Sequence, residues 1–187
     1  MLLAAGSGRR YGGPKALADT GSGPWVLHAL DVLAACSTKI VVVGAAADAV
    51  TALVLGRSTI AVNPDHDAGM ASSLRVGLGA VPDDVDAVLV MLVDLPGVTA
   101  AVSERLLAEA GPRPRGALIR AAYGGLPGHP VLIGSDHLDA LRQSLARSEP
   151  DAGGSRHLTA NGVRLIECGD LADGADVDRP PGSDQDD

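Results

Sequence analysis

Four short stretches, "MLLAA" (1–5), "KIVVVGA" (39–45), "STIAVN" (58–63) and "DAVLVMLV" (86–93), are apolar at successive positions and bounded by Gly, Asp or Pro. Successive strand residues point to opposite faces, so a strand that is apolar throughout must be covered on both sides, the condition of a buried parallel strand. Between them "WVLHALDVLAACS" (25–37), "AADAVTALVLG" (46–56) and "MASSLRVGLGAV" (70–81) repeat apolar residues three and four apart, the spacing of amphipathic helices. This alternation predicts a doubly wound, mostly parallel α/β sheet with helices on both faces. The second half predicts a helix over 99–111 opened by a Thr99 cap and ended by Gly111, then a strand around 116–122. There follow a Gly/Pro-rich turn "YGGLPGHP", a strand "PVLIG", a helix "DHLDALRQSLARS" and a strand "GVRLIEC".

At 187 residues a single domain is expected, and with 46% hydrophobic residues but 2% aromatics and no Phe its core must be built from Val, Leu, Ile and Ala. A formal net charge of -8 argues against binding nucleic acid or an anionic membrane, so any bound anion is gripped locally. Cys36 and Cys168 share no pair motif and read as reduced thiols rather than a disulfide or zinc site. With no basic-then-apolar leader and no apolar run near the roughly 20 residues of a membrane span, the protein is expected to be soluble and cytoplasmic.

The stretch with the most chemistry is "LLAAGSGRRYGGPKAL" (2–17). A loop after the first strand of such a sheet lies at the carboxyl edge where ligands bind, and its glycines and basic side chains suit a phosphate. A dinucleotide fingerprint fails, because from Gly6 and Gly8 its third glycine falls on Tyr11. A Walker loop also fails, because Gly13 is followed by Pro14, Lys15 and Ala16. The pattern that fits is G-x-G-x-R-x-G-x-P-K, formed by Gly6, Gly8, Arg10, Gly12, Pro14 and Lys15.

With "LAAG" before it, this pattern resembles the signature of the MobA-like nucleotidyltransferases, and most closely that of molybdenum cofactor cytidylyltransferases. "NPDHDAGMASSLRVGL" (63–78), "VDLPGVT" (93–99), "GHPVLI" (128–133), "DAGGSRHL" (151–158) and "DVDRP" (176–180) extend the resemblance along almost the whole chain. It implies a single Rossmann-like nucleotidyltransferase domain over 1–175, with a nucleotide-binding half (1–100) and an acceptor half (101–175). An acidic tail over 176–187 follows, its end expected to be disordered. Relatives carry residues before "LAAG", so the first strand here is expected to be only about five residues long.

The implied reaction moves a CMP or other NMP group from an NTP, with CTP favoured, to a molybdopterin-type acceptor and releases pyrophosphate with Mg²⁺. Arg10 and Lys15 would meet the triphosphate, and Asp94 and Asp178 the metal, with Asp176 alongside. Asp94 alternatively caps its turn, and an acidic tail would supply Asp178 in any case; Arg179 stands where the family has Thr, and Val93 where it often has Gly. The resemblance places Leu3, Ala4 and Ala5 at the base edge, the Ala5 methyl narrowing the pocket toward cytosine. By the same resemblance Gly6 and Gly8 would bind the phosphates, and Asn63, Gly69 and Ser73 would border the nucleotide; Ser72 and Ser73 could instead cap the next helix. His129 lies toward the acceptor, and Gly153, Gly154 and Arg156 near its phosphate, while the other four histidines are expected at the surface or in the core. Two alternatives stay open, a GTP-using guanylyltransferase acting on the same or another phosphorylated metabolite, and a non-catalytic chaperone delivering molybdenum cofactor to a molybdoenzyme. A monomer is expected.

Overall fold

The computed structural model describes residues 1–147 and 154–180. A seven-stranded sheet forms, from β1 (Leu2–Ala4), β2 (Ile40–Val43), β3 (Thr59–Val62), β4 (Ala87–Leu92), β5 (Leu118–Tyr123), β6 (Leu126–Gly134) and β7 (Arg164–Glu167), in the order β3-β2-β1-β4-β6-β5-β7. Every strand is parallel to its neighbours except β6, which runs antiparallel to both β4 and β5. The helices are α1 (Trp25–Val32), α2 (Ala47–Val54), α3 (Met70–Gly79), α4 (Ala100–Ala110), α5 (Leu138–Arg147) and α6 (Ser155–Ala160). None of the described helices is long and apolar enough to cross a membrane.

The period-two alternation of the strands feeds two cores. Leu2 and Ala4 join Val41, Val43, Leu89 and Met91 beneath α1, α2 and α4, while Leu3 and Ala5 join Val42, Val88 and Val90 beneath α3 and α5. That is the two-sided mostly parallel sheet expected from the apolar strands. β1 has only three residues, yet it is hydrogen-bonded on both sides, Leu2 pairing with Val41 and with Met91. Its central place lets the loop after it open where the strand ends converge.

The structure corrects several expected boundaries. β3 is an edge strand with only Ala61 buried, and Val62 is 58% exposed, so its apolar composition does not reflect cover on both faces. The turn in "YGGLPGHP" shrinks to Gly124-Gly125, both at positive φ (59° and 81°), as a two-residue hairpin with both central residues left-handed requires. Leu126–His129 belong to β6; β4 pairs only with Val131–Gly134, so Pro127 and Pro130 remove no ladder bond on that side. Thr99 precedes α4 as expected, but its side chain makes no capping hydrogen bond. α1 stops at Val32 rather than 37, where Leu33 leaves helical geometry and the chain turns into β2. The start expected for α5 at 136 is a 3₁₀ turn, Ser135–His137. α6 overlaps the stretch 151–158 expected near the acceptor phosphate, whose residues 151–153 fall outside the described ones.

From Cys168 the chain returns across the sheet edge, and the Val177 N–H donates to the Asp94 carbonyl at 3.1 Å. Residues 176–180 therefore lie against the end of β4, while the expected disorder of the tail's end falls on residues outside the described ones. Leu132 on β6 is fully buried in the core under α1 and α4. Leu132→Ala is expected to cost about 2–5 kcal/mol, read as a lower denaturation midpoint with an unchanged slope.

Candidate active site

The loop after β1 is wound around one carbonyl. Tyr11, Gly12 and Gly13 all donate their N–H groups to the Gly8 oxygen, at 2.9, 3.0 and 3.1 Å. Gly8 holds φ 60°, and a Cβ there would collide with the Gly13 carbonyl, so only glycine fits. Gly6 differs, since a Cβ on it would meet no protein atom within 4 Å. Its bare backbone leaves open space in the cleft. The Tyr11 ring tilts against Trp25 at 5.3 Å and fixes the loop to the first residue of α1.

Pro14 ends this loop and a short 3₁₀ turn, Lys15–Leu17, begins, aiming Lys15 back beneath the glycines. The Lys15 ammonium donates to Asp94 at 3.0 Å and to Asp178 at 2.8 Å, and Arg10 pairs with the other Asp178 oxygen at 2.8 Å. Lys15 is the most enclosed of the group, with 13% of its side chain exposed. Burial disfavours its charge, but its hydrogen bonds to the Asp178 and Asp94 carboxylates, with their negative charges, outweigh that and raise its pKa. The hydrogen bond from Lys15 holds the Asp178 carboxyl below the usual carboxylate range, helped by the Lys15, Arg10 and Arg179 charges. Carboxylate oxygens of Asp94, Asp176 and Asp178 lie within 4.8 Å of one another. An all-oxygen, anionic donor set of this kind fits a hard divalent cation such as Mg²⁺ or Mn²⁺.

The opposite wall comes from the segment between β3 and α3. Asn63 is 1% exposed; its amide donates to the Ser72 and Ser73 hydroxyls at 2.8 and 3.0 Å, and its carbonyl accepts the Asp65 N–H at 3.0 Å. The Ser72 hydroxyl donates to the Asp65 and Gly69 carbonyls. Gly69, at φ 91°, turns the chain into α3, so the two serines sit inside the first turn and neither caps the helix.

These elements enclose a cleft of about 360 Å³. Leu3, Ala5, Gly6, Gly8, Arg10, Lys15, Gly69, Ser73, Asp94 and Asp178 all line it, on one face of the sheet's carboxyl edge. Ala4 and Asn63 stand behind its wall: Ala4 belongs to the opposite core, and the Asn63 side chain is spent on holding the loop. His129 lines a neighbouring cavity that shares Leu3 and Met70 with the cleft, and Arg156 is exposed on α6, lining neither. The sequence reading missed His66, which lines the cleft instead of taking a surface or core role, with its Nδ1 buried and lacking a hydrogen bond. Its place between Asn63 and Gly69 was the available signal. Arg9, 77% exposed, reaches Asp67 at 3.0 Å across the cleft mouth.

A glycine loop at the carboxyl edge of a mostly parallel sheet, facing lysine and clustered carboxylates, lies where open α/β sheets bind ligands and carries groups suited to a phosphate and a divalent cation. The comparisons with known proteins make the assignment sharper. The model of the MobA-like NTP transferase domain matches residues 1–165, and the chain belongs to that family of nucleotidyltransferases. Asp176 and Asp178 lie beyond the matched span.

Among solved structures, Rv0371c from Mycobacterium tuberculosis H37Rv is 29% identical, with a TM-score of 0.74 over 95% of this chain and 90% of that one. The same protein in complex with manganese gives 28% identity and a TM-score of 0.69, covering 89% of this chain and 85% of that one. A nucleotidyl transferase from Methanothermobacter gives 24% identity and a TM-score of 0.73, covering 89% of this chain and 85% of that one. No curated protein matches the sequence.

The Lys15–Asp178 pair is intact above ordinary carboxylate titration, and is lost as pH falls through the depressed Asp178 value. In Lys15→Met the Asp178 carboxyl is expected to titrate at higher pH than in the parent protein, followed by carboxyl carbon NMR.

Proposed function

We propose that the protein transfers CMP from CTP to a phosphorylated, molybdopterin-type acceptor and releases pyrophosphate. The observation that carries this reading is Lys15 lodged between Asp94 and Asp178 below the glycine loop, where cations and anions of a phosphoryl site meet. The resemblance of "LAAG", "VDLPGVT" and "GHPVLI" to molybdenum cofactor cytidylyltransferases supports the acceptor, and the Ala5 methyl lining the cleft supports the smaller base.

Asp94 and Asp178, with Asp176 beside them, would hold a divalent cation; Mg²⁺ is the ion expected of the family, and the manganese complex of Rv0371c supports an ion of this size and hardness. Such an ion neutralises charge on the triphosphate and pyrophosphate oxygens. Backbone N–H groups of the glycine loop and the Arg10 guanidinium orient the triphosphate at the cleft floor. Lys15, held by its two carboxylates in the absence of nucleotide, supplies positive charge as the bond to the leaving pyrophosphate lengthens. A terminal phosphate oxygen of the acceptor is already anionic, so the chain needs only to align it and needs no base or covalent nucleophile. Asn63 keeps the opposite wall in place through Ser72 and Ser73.

The test is pyrophosphate release with each of the four NTPs, with Mg²⁺ or Mn²⁺, with and without molybdopterin. Acceptor-dependent release with CTP is expected; release with GTP alone would replace the base assignment, and acceptor binding without release would overturn the enzyme reading. Lys15→Ala is expected to lower kcat by about 10²-fold or more without unfolding the chain, as loss of a preorganised charge at the transition state does. Asp94→Asn and Asp178→Asn are each expected to weaken Mn²⁺ binding, read by electron paramagnetic resonance; unchanged affinity in both would remove the metal assignment.

A further inference from the structure

Beside the nucleotide cleft lies a smaller cavity of about 50 Å³, walled by Leu3, Met70, Val90, Arg120, His129 and Ser155. Leu3 and Met70 are common to both spaces. Arg120 is the notable residue there, because it is a cation in the middle of a strand and nothing assigns it a role. It pairs in register with Val131 of β6, which in turn pairs with Val90 of β4, so it occupies a row that is otherwise apolar on the α3 and α5 side of the sheet.

Its Nε donates to the Gly128 carbonyl at 2.7 Å. Among the described residues its two terminal nitrogens have no hydrogen-bond partner and no carboxylate pairs with it, yet they are not sealed from solvent. Burial lowers the guanidinium pKa, and no charge among the described residues offsets it. A half-buried, unpaired guanidinium is costly for a fold to keep, since desolvation is repaid only by an anion. The one polar ring beside it gives no such help: burial, and then the Arg120 charge, lower His129 to about 4, so at neutral pH it is an uncharged imidazole.

The frame around Arg120 is rigid. Gly128 accepts from Arg120 while packing so closely on the Tyr123 ring that a Cβ there would lie 2.6 Å from it. The Tyr123 hydroxyl donates to the His129 carbonyl at 2.7 Å. The arginine stem is thus fixed by the hairpin that carries it, while the outer end of the fork stays available.

We infer that Arg120, with His129 beside it, forms an oxyanion subsite that takes a phosphate or carboxylate group of the acceptor at the end of the cleft away from the glycine loop. This assignment rests on the nucleotidyl-transfer reading for the identity of the acceptor. The planar fork, with one edge held by Gly128, leaves terminal N–H groups to grip an oxyanion through charge-assisted bonds. Specificity follows, since an acceptor lacking that anion would leave the cation unpaired.

Two measurements test the subsite separately from the reaction. Crystals of the full chain grown with arsenate, a phosphate-like probe with an anomalous signal, are expected to show arsenic at the Arg120 fork, lost in Arg120→Met. In kinetics Arg120→Met is expected to raise the acceptor KM about 10-fold or more, the loss of one charged hydrogen-bonded contact, with the NTP KM unchanged. Arg120→Lys, which keeps charge but not the fork, is expected to fall between them and serves as the folded control if Arg120→Met melts early. Arsenate confined to the Gly6–Lys15 loop, together with an acceptor KM unmoved by either variant, would overturn the subsite. If no NTP is turned over, the transferase reading fails while the arsenate position still decides the role of Arg120.

Discussion

The contact on which the site depends is the Lys15 ammonium held between two carboxylates. Asp94 is 79 residues away in sequence and Asp178 is 163, so this one group joins the first loop, the end of the central strand and the returning C-terminal segment. It is enclosed enough that its charge needs partners, and those partners are the groups a divalent cation would use. Structure and chemistry therefore share the same atoms. The pairing keeps the acidic cluster from repelling itself, and it keeps a lysine poised at the floor of an open cleft.

The rest of the fold serves that meeting point. Six strands aligned in one direction bring the ends of β1 and β4 side by side, and the two-sided packing of Leu2 and Leu3 makes β1 a firm base despite its length. The reversed β6 has a different consequence. By running against its neighbours from the hairpin to Gly134, it sets its first residues beside the strand that precedes it, so that Arg120, Gly128 and His129 stand together. The strands of the first hundred residues and those that follow thus meet across the β4–β6 ladder.

Much of this was legible in the sequence, and the reasons are specific. Strands such as Ile40–Val43 declare themselves because an unbroken β-branched run has few other stable places to go. The glycine loop was legible because its spacing excluded two other phosphate motifs before it matched a third. What escaped was governed by contacts that no local pattern encodes. β3 has the apolar composition of a buried strand but ends the sheet, since strand order is a matter of topology. β6 begins at Leu126 despite two prolines, because only its later residues meet β4. Asn63 was read as a ligand-side residue, and its buried amide instead holds the wall through two serines. Arg120 gave no signal at all: an arginine in a strand usually faces water, and only the three-dimensional neighbourhood shows that no carboxylate among the described residues pairs with it.

The return of residues 176–180 to the end of β4 also sets an order of events for the chain as it is made. Lys15 and Asp94 are both synthesised, and can be packed by the sheet, well before Asp178 exists. Until that residue arrives, the loop's cations outnumber the carboxylates facing them. Closing so long a loop costs little more entropy than closing one half its length, because the penalty grows only logarithmically. The cleft therefore has its full charge balance only in a chain whose segment 176–180 lies against the end of β4.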